Sequence, residues 1–200
     1  MTDVRDGTSG PPFHDLVALA EAAADIQRLL FLDRMWTVAG DRVDQLADDD
    51  RQALADLGDL IAEQTTVCER HAQNMHGIYT SYPEWINQRV RDELATEQFT
   101  DEQRAGASRM FAVNGNDFAA HAATATQSIA QQAPAERAEL RKKAATLRGD
   151  GPAVTDISHE FACSFASGAM VAEIVLCPET FGLGCAAALV LYLAADSTGC

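Results

Sequence analysis

The chain has 200 residues, 47% of them hydrophobic, and a formal net charge of -15 at pH 7. Its length suits one domain, or one domain with an appendage, and its apolar share is enough for a core of ordinary size. Such an acidic chain repels phosphate backbones and anionic membrane surfaces, so nucleic-acid binding is excluded as a function. Aromatic residues make up only 6% and alanine is abundant, a composition that favours helices over sheets.

Residues 1–12 are rich in Gly, Ser, Pro and Asp and are predicted to form a disordered lead-in. No cationic stretch leads into an apolar one there, which predicts a chain that is cytoplasmic as synthesised. Residues 13–149 form a predicted helical domain, because apolar residues recur at helical spacing between start and stop signals. Six helices are predicted. The first covers 14–38 and ends before Gly40, and the second begins with Asp48–Asp50 as N-cap and acidic first turn and ends at Gly77. The third and fourth each begin with a capping box, at Ser81 and Thr100, and extend to Glu97 and Asn114; the fifth covers 117–132 and the sixth extends from Pro134 to Gly149.

The composition changes at residues 150–156, the predicted linker, which contains Gly and Pro. The region beyond it, 157–200, has no Lys or Arg and is apolar over most of its length. Pro178 and two nearby glycines divide this region into two arms joined by a short turn, which makes the arms antiparallel neighbours. The apolar part of each arm is shorter than the ~20 residues of a membrane-spanning helix. The predicted fold is therefore all-α, a bundle of about six helices followed by an apolar antiparallel helical hairpin.

Two interpretations of this hairpin are open. In the first, the helices of residues 13–149 surround it and it forms the centre of a single core. In the second, it is a separable apolar unit that stays shielded until it meets a membrane, a protein partner or a maturation enzyme. Glu173 bears on both interpretations, because a carboxylate on a buried helix must find a partner or take up a proton.

Three side chains on the second predicted helix are candidate ligands for a metal or cofactor. Cys68, His71 and Met75 lie at i, i+3 and i+7, on one helix face, and are donors that copper or haem iron can use. A cofactor- or metal-binding helical bundle is therefore the alternative function. Buried cysteine and methionine are also ordinary core residues, and three donors from one helix do not complete a site, so no cofactor is favoured.

Signatures of catalysis are absent from the sequence. It contains no His-Glu-x-x-His zinc helix, phosphate-binding loop, dinucleotide-binding glycine motif or Gly-x-Ser-x-Gly elbow. His159 lies near Cys163 and could pair with its thiol, but no third residue to orient such a pair is evident. A position in the first turn of its helix is the better interpretation of His159. The chain is therefore predicted to be non-enzymatic.

Four of the five cysteines lie beyond residue 160, in the pattern Cys163-x13-Cys177-x7-Cys185-x14-Cys200 with small and aliphatic residues between them. Over residues 160–200 this pattern resembles the precursors of halocin-like, cysteine-rich bacteriocins. In those precursors a larger N-terminal part accompanies a small, hydrophobic, disulfide-rich C-terminal peptide. The resemblance implies a membrane-active role attached to these four cysteines. Other ribosomal peptide precursors, in which Ser or Thr is bridged to Cys, fit the pattern about as well.

The hairpin geometry suggests how the cysteines would pair, since residues equally far from the turn lie opposite one another. Cys177 and Cys185 flank the turn, and Cys163 and Cys200 lie at nearly equal distances from it. The spacing therefore permits the pairs Cys177–Cys185 and Cys163–Cys200, with Cys68 left as an odd thiol. The alternative is that all four are buried thiols in a reducing cytoplasm.

These observations favour a helical protein that presents or shields a hydrophobic, cysteine-bearing hairpin, as a bacteriocin-like precursor would. A membrane or protein partner would act through residues 157–200, and maturation or export machinery would release that segment. A plain interaction or regulatory domain is a further alternative. The sequence does not indicate an oligomeric state.

Overall fold

The computed structural model of the chain describes residues 10–40, 42–96, 99–101, 104–105, 109, 115, 117–150, 169 and 171–176. Helices account for 88% of the described residues and none of these residues is in a strand, which confirms the predicted all-α class. The elements with defined bounds are α1 (Phe13–Gly40), a 3-10 helix (Val43–Gln45), α2 (Asp48–Ser81), α3 (Pro83–Leu94) and α4 (Phe118–Leu147). Also helical are residues 101, 104–105 and 109, in the region of the predicted fourth helix, and residues 169 and 171–176.

The second helix is the centre of the bundle, because it packs against α1 and, most extensively, against α4. It runs antiparallel to α4: the carbonyl of Ala123 lies 3.0 Å from Nδ1 of His76, whereas Arg148, at the far end of α4, pairs with Asp56 at 2.8 Å. Between these points Arg137 pairs with a carboxylate of α2. Polar contacts therefore fix the register of α2 and α4 along most of their length.

The close packing of α1 on α2 depends on Gly58. The indole ring of Trp36, which is fully buried, lies directly over the backbone of Gly58, and a Cβ atom added there would collide with the ring carbons. A glycine at this position lets the largest side chain of α1 reach the backbone of α2. The distance between the two helices is set by this contact.

The predicted end of the second helix is wrong, because α2 continues through Gly77 and ends at Ser81. Glycine inside a helix costs only about 1 kcal/mol relative to alanine. Met75, Ile78 and Tyr79 are buried on either side of Gly77, and burying such side chains contributes more than that cost. Tertiary packing therefore overrides the local stop signal.

The predicted helix caps are also corrected at two places. Ala47 is the N-cap residue of α2, and Asp48–Asp50 form its first turn, where their negative charges favour the helix dipole without capping it. Tyr82 is the N-cap residue of α3, so Ser81 does not form the predicted capping box. Pro83 does occupy the first turn of α3, where a backbone N–H has no acceptor within the helix, so that the lack of an N–H in proline costs no hydrogen bond.

The predicted break at Pro134 is wrong as well, because α4 is one continuous helix from Phe118 to Leu147. A proline in a helix interior removes one backbone hydrogen bond and clashes with the preceding turn. Here Ile129 and Ala133 before it and Leu140 after it are buried. Both halves of α4 therefore pack into the same core, and this packing keeps the helix continuous.

The ends of α4 match local sequence signals. The side chain of Asp117 accepts a hydrogen bond from the backbone N–H of Ala120, as an N-cap does. At the other end Gly149 has φ +93° and donates its N–H to the carbonyl of Thr146, while Asp150 donates to Ala145. This pair of bonds is a Schellman motif, and it confirms the predicted helix end at Gly149.

The described part of the C-terminal region lies inside the bundle. Residues 169 and 171–176 are buried, and their apolar members belong to the same hydrophobic cluster as α1 to α4. Residues 151–156 of the predicted linker and residues 177–200, with the turn and second arm of the predicted hairpin, lie outside the described residues. No helix in the described part of the chain is long and apolar enough to cross a membrane.

The two glycines of α2 give a matched test of the packing. Replacement of Gly58 by alanine is expected to destabilise the protein by about 1–3 kcal/mol, because the new methyl group must displace the Trp36 ring. Replacement of Gly77 by alanine is expected to stabilise it by about 0.5–1 kcal/mol, since no atom lies within 4 Å of the added Cβ. Urea unfolding followed by circular dichroism measures both changes. A stabilising Gly58→Ala variant would contradict the packing described above.

Candidate functional site

The contact between residues 169 and 171–176 and the two helices α1 and α2 is the candidate functional site. Ala169, Val171, Ala172, Ile174 and Val175 are at most 1% exposed, and Leu176 is only slightly more accessible. A helical segment that is buried on every side must be enclosed by other parts of the protein. This segment, named here the core segment, carries one charged side chain among its described residues, that of Glu173.

Glu173 is held by α1. The residue is 8% exposed, and its Oε1 accepts a hydrogen bond of 2.9 Å from Nε2 of Gln27. Burial raises the pKa of Glu173 to about 7, because the ionised form loses its hydration. One amide donor does not replace the water shell of a carboxylate. The side chain is therefore half-protonated near neutral pH.

The second polar contact of the core segment comes from α2. Tyr79 is fully buried, and it forms a hydrogen bond with the backbone of Ala172. Burial raises the pKa of Tyr79, and the nearby charge of Glu173 raises it further, so the phenol stays neutral. Gln27 and Tyr79 thus hold adjacent residues of the core segment from two different helices.

The predicted ligand face of α2 is directed towards α1. His71 Nε2 lies 2.9 Å from Oδ2 of Asp25, which joins the two helices near their middle. Cys68 is fully buried with a free thiol. Burial, and to a smaller extent the negative charge of Asp25, raises the pKa of this thiol to about 12. A thiol that stays protonated at neutral pH is a poor nucleophile and a poor metal ligand.

Met75 is also fully buried, within the same hydrophobic cluster as Cys68. In the part of the chain that the structure describes, no group of three or more His, Cys, Asp or Glu side chains is arranged to hold a metal ion. Metal binding by Cys68, His71 and Met75 stays a prediction. Their positions match those of core residues and of a half-buried His–Asp pair.

The other predicted site residues lie outside the described residues: His159, Cys163, Cys177, Cys185 and Cys200. The disulfide pairs and the thiol–imidazole pair therefore stay predictions. Of the C-terminal candidates only Glu173 is described, and Gln27 is its hydrogen-bond partner.

Three residues of the site were missed by the sequence analysis: Gln27, Tyr79 and Asp25. Gln27 and Asp25 are polar residues beside Ile26, in a helix whose buried positions are apolar apart from Asp33. This interruption was a usable signal that α1 contacts something polar. Tyr79 lay beyond the predicted end of its helix, so it was not assigned to the packed face.

Comparison of the chain with protein-family models, with curated proteins and with solved structures finds no match in any of the three. The functional argument therefore rests on the chain itself.

Proposed function

We propose that this is a non-enzymatic carrier protein, in which the helical region shields a hydrophobic, cysteine-bearing C-terminal segment, residues 157–200, until that segment is used. The segment would act on a membrane or a protein partner, as in a bacteriocin-like or other ribosomal peptide precursor. Maturation or export machinery would release it from the helical region.

The observation that carries this proposal is the complete burial of the core segment between α1, α2 and the rest of the hydrophobic cluster. An apolar segment without Lys or Arg, exposed in water, would associate with other apolar surfaces. Enclosure by the helical region prevents this. The same enclosure is what a carrier of a membrane-active segment must provide.

Glu173 gives the enclosed segment a limited stability. A carboxylate with a pKa of about 7 costs folding free energy when it ionises, and the cost grows with pH. An all-apolar segment would lack this cost. A carrier benefits from the free-energy cost of ionising Glu173, because a segment that is held too firmly would not be released.

The alternative of a metal- or cofactor-binding bundle has less support. It rests on Cys68, His71 and Met75, two of which are fully buried among apolar side chains while His71 is engaged by Asp25. A buried, protonated thiol must lose its proton to bind a metal, and that costs part of the binding free energy.

Glu173 makes the stability depend on pH. Between about pH 4.5 and 7 the folded protein keeps a proton on Glu173 that the unfolded chain has lost, so stability from this group falls as pH rises. Replacement by glutamine removes the ionisable group and keeps an acceptor for Gln27. We expect the unfolding free energy of Glu173→Gln to exceed that of the wild type by less than about 1 kcal/mol at pH 5 and by roughly 2–3 kcal/mol at pH 8.

Urea unfolding at the two pH values measures this difference. Glu139→Gln is the matched control, because Glu139 lies on the exposed side of α4, where it pairs only at 3.5 Å with Lys142. An equal effect of Glu173→Gln at pH 5 and pH 8 would show that this carboxyl group does not ionise in the interior.

The shielding itself is tested with vesicles of phosphatidylcholine that contain a self-quenched dye. We expect a synthetic peptide of residues 157–200 to release the dye and the intact protein to release little. Tyr79→Ala removes a scaffold contact to Ala172 and leaves the C-terminal sequence unchanged, so this variant is expected to release several-fold more dye than the wild type.

The control is Thr80→Ala, at an exposed neighbouring position of α2, which should behave like the wild type. If the peptide leaves the vesicles intact in both its reduced and its oxidised form, the proposal that the segment acts on a membrane is wrong.

A further inference from the structure

The first helix has a second apolar face, opposite the one that packs in the core. The residues on this face recur every three or four positions and all are exposed; they are Phe13, Val17, Ala20, Ala24, Phe31, Met35 and Val38. This set is named here the outer stripe. Between Ala24 and Phe31 the stripe lacks an apolar residue, and Arg28 stands at its edge in that turn. Phe13 is 79% exposed and Phe31 is 65% exposed. The stripe is about 37 Å long, since α1 rises about 1.5 Å per residue.

The two halves of the outer stripe differ in size and charge. The N-terminal half has small residues at its centre, Ala20 and Ala24, and the acidic residue Glu21 lies on its flank. The C-terminal half has the bulky side chains of Phe31 and Met35, and the basic residue Arg28 lies on the same flank as Glu21. In the central turns, the small residues beside Glu21 in one half therefore match the bulky residues beside Arg28 in the other half when the face is reversed, while Phe13 at the N-terminal end is itself bulky and exposed.

We propose that a second copy of this chain binds the outer stripe, with the two α1 helices antiparallel about a two-fold axis. In this register Ala20 of each copy lies opposite Phe31 of the other, and Phe13 lies opposite Val38. A two-fold interface uses the same patch on both copies, so the patch must fit its own reverse. A parallel pair would place Phe31 against Phe31 and Arg28 against Arg28.

A groove beside the C-terminal half supplies a seat for Phe13 of the second copy. The groove has a volume of about 470 Å³ and lies between α1 and the 3-10 helix region. Its lining is mainly apolar and includes Phe31, Met35, Val38 and Leu46. Phe13 stands at the start of α1 with most of its ring in solvent, and the antiparallel register carries it to this groove.

Charge favours the same arrangement. The flank that carries Glu21 and Arg28 faces the identical flank of the second copy in an antiparallel two-fold pair. Glu21 of each copy then lies within one helical turn of Arg28 of the other. Within one chain these residues are two turns apart, too far for a direct ion pair on a helix surface. The antiparallel helix dipoles add to this preference.

The first experiment measures the mass of the full chain by sedimentation equilibrium between about 1 and 100 µM. A single helix pair buries less than a standard interface, so we expect a dimer with a dissociation constant on the order of micromolar. Phe31→Asp is expected to give a monomer with unchanged helix content, because the side chain is exposed in the single chain. Ala138→Asp, at an exposed position of α4, should remain dimeric.

The second experiment is a charge exchange. Glu21→Arg and Arg28→Glu should each weaken the dimer about three- to ten-fold, and the double variant should restore the wild-type dissociation constant. Such rescue requires an antiparallel second copy, because it depends on Glu21 of one copy facing Arg28 of the other, and an occupant without this pair of charges would not produce it. A monomeric wild type, or a dimer that Phe31→Asp leaves intact, or a double variant as weak as the single ones would overturn the proposal.

Discussion

The contact of Trp36 with the backbone of Gly58 is the constraint on which the bundle depends. It sets the distance between α1 and α2, and α2 in turn packs along α4. Because the helices are rich in alanine, few side chains are large enough to fill a wide space between them. A tight approach at this point suits small buried residues such as Ala22 in α1 and Ala62 in α2, which do not fill a wide space. The polar contact of Asp25 with His71 then fixes how the two helices align.

The core segment completes this arrangement. Aliphatic residues such as Val171, Ile174 and Val175 supply apolar volume that the alanine-rich helices lack. The helical region therefore needs the aliphatic side chains of the core segment to fill its interior. The core segment in turn needs the helical region to enclose it. Glu173 limits the strength of this interaction, since its ionisation near neutral pH works against burial. In the proposed carrier these two opposing effects would keep the segment enclosed and still allow its release.

The first helix is apolar on two opposite faces, so its polar surface is narrower than that of an ordinary amphipathic helix. Its inner face, with Leu19 and Ile26, packs in the bundle, and its outer stripe is as apolar as many core faces. The net charge of -15 opposes non-specific association through such a stripe, and in the proposed dimer the charges that flank it would favour an antiparallel second copy. The proposed dimer would cover this face and leave the core segment enclosed within each copy.

The sequence by itself determined the helical class, the start of α1 and the end of α4, because these follow from composition and from local signals such as Gly149. It also indicated that Cys68 and Met75 suit a core and that Glu173 needs a partner. Only the tertiary structure decided that α2 passes through Gly77 and that α4 passes through Pro134, since the burial of neighbouring side chains outweighs the local cost of both residues. It also decided the identity of the partner of Glu173. That partner, Gln27, is far away in the sequence, and no periodic pattern specifies a single contact between distant segments.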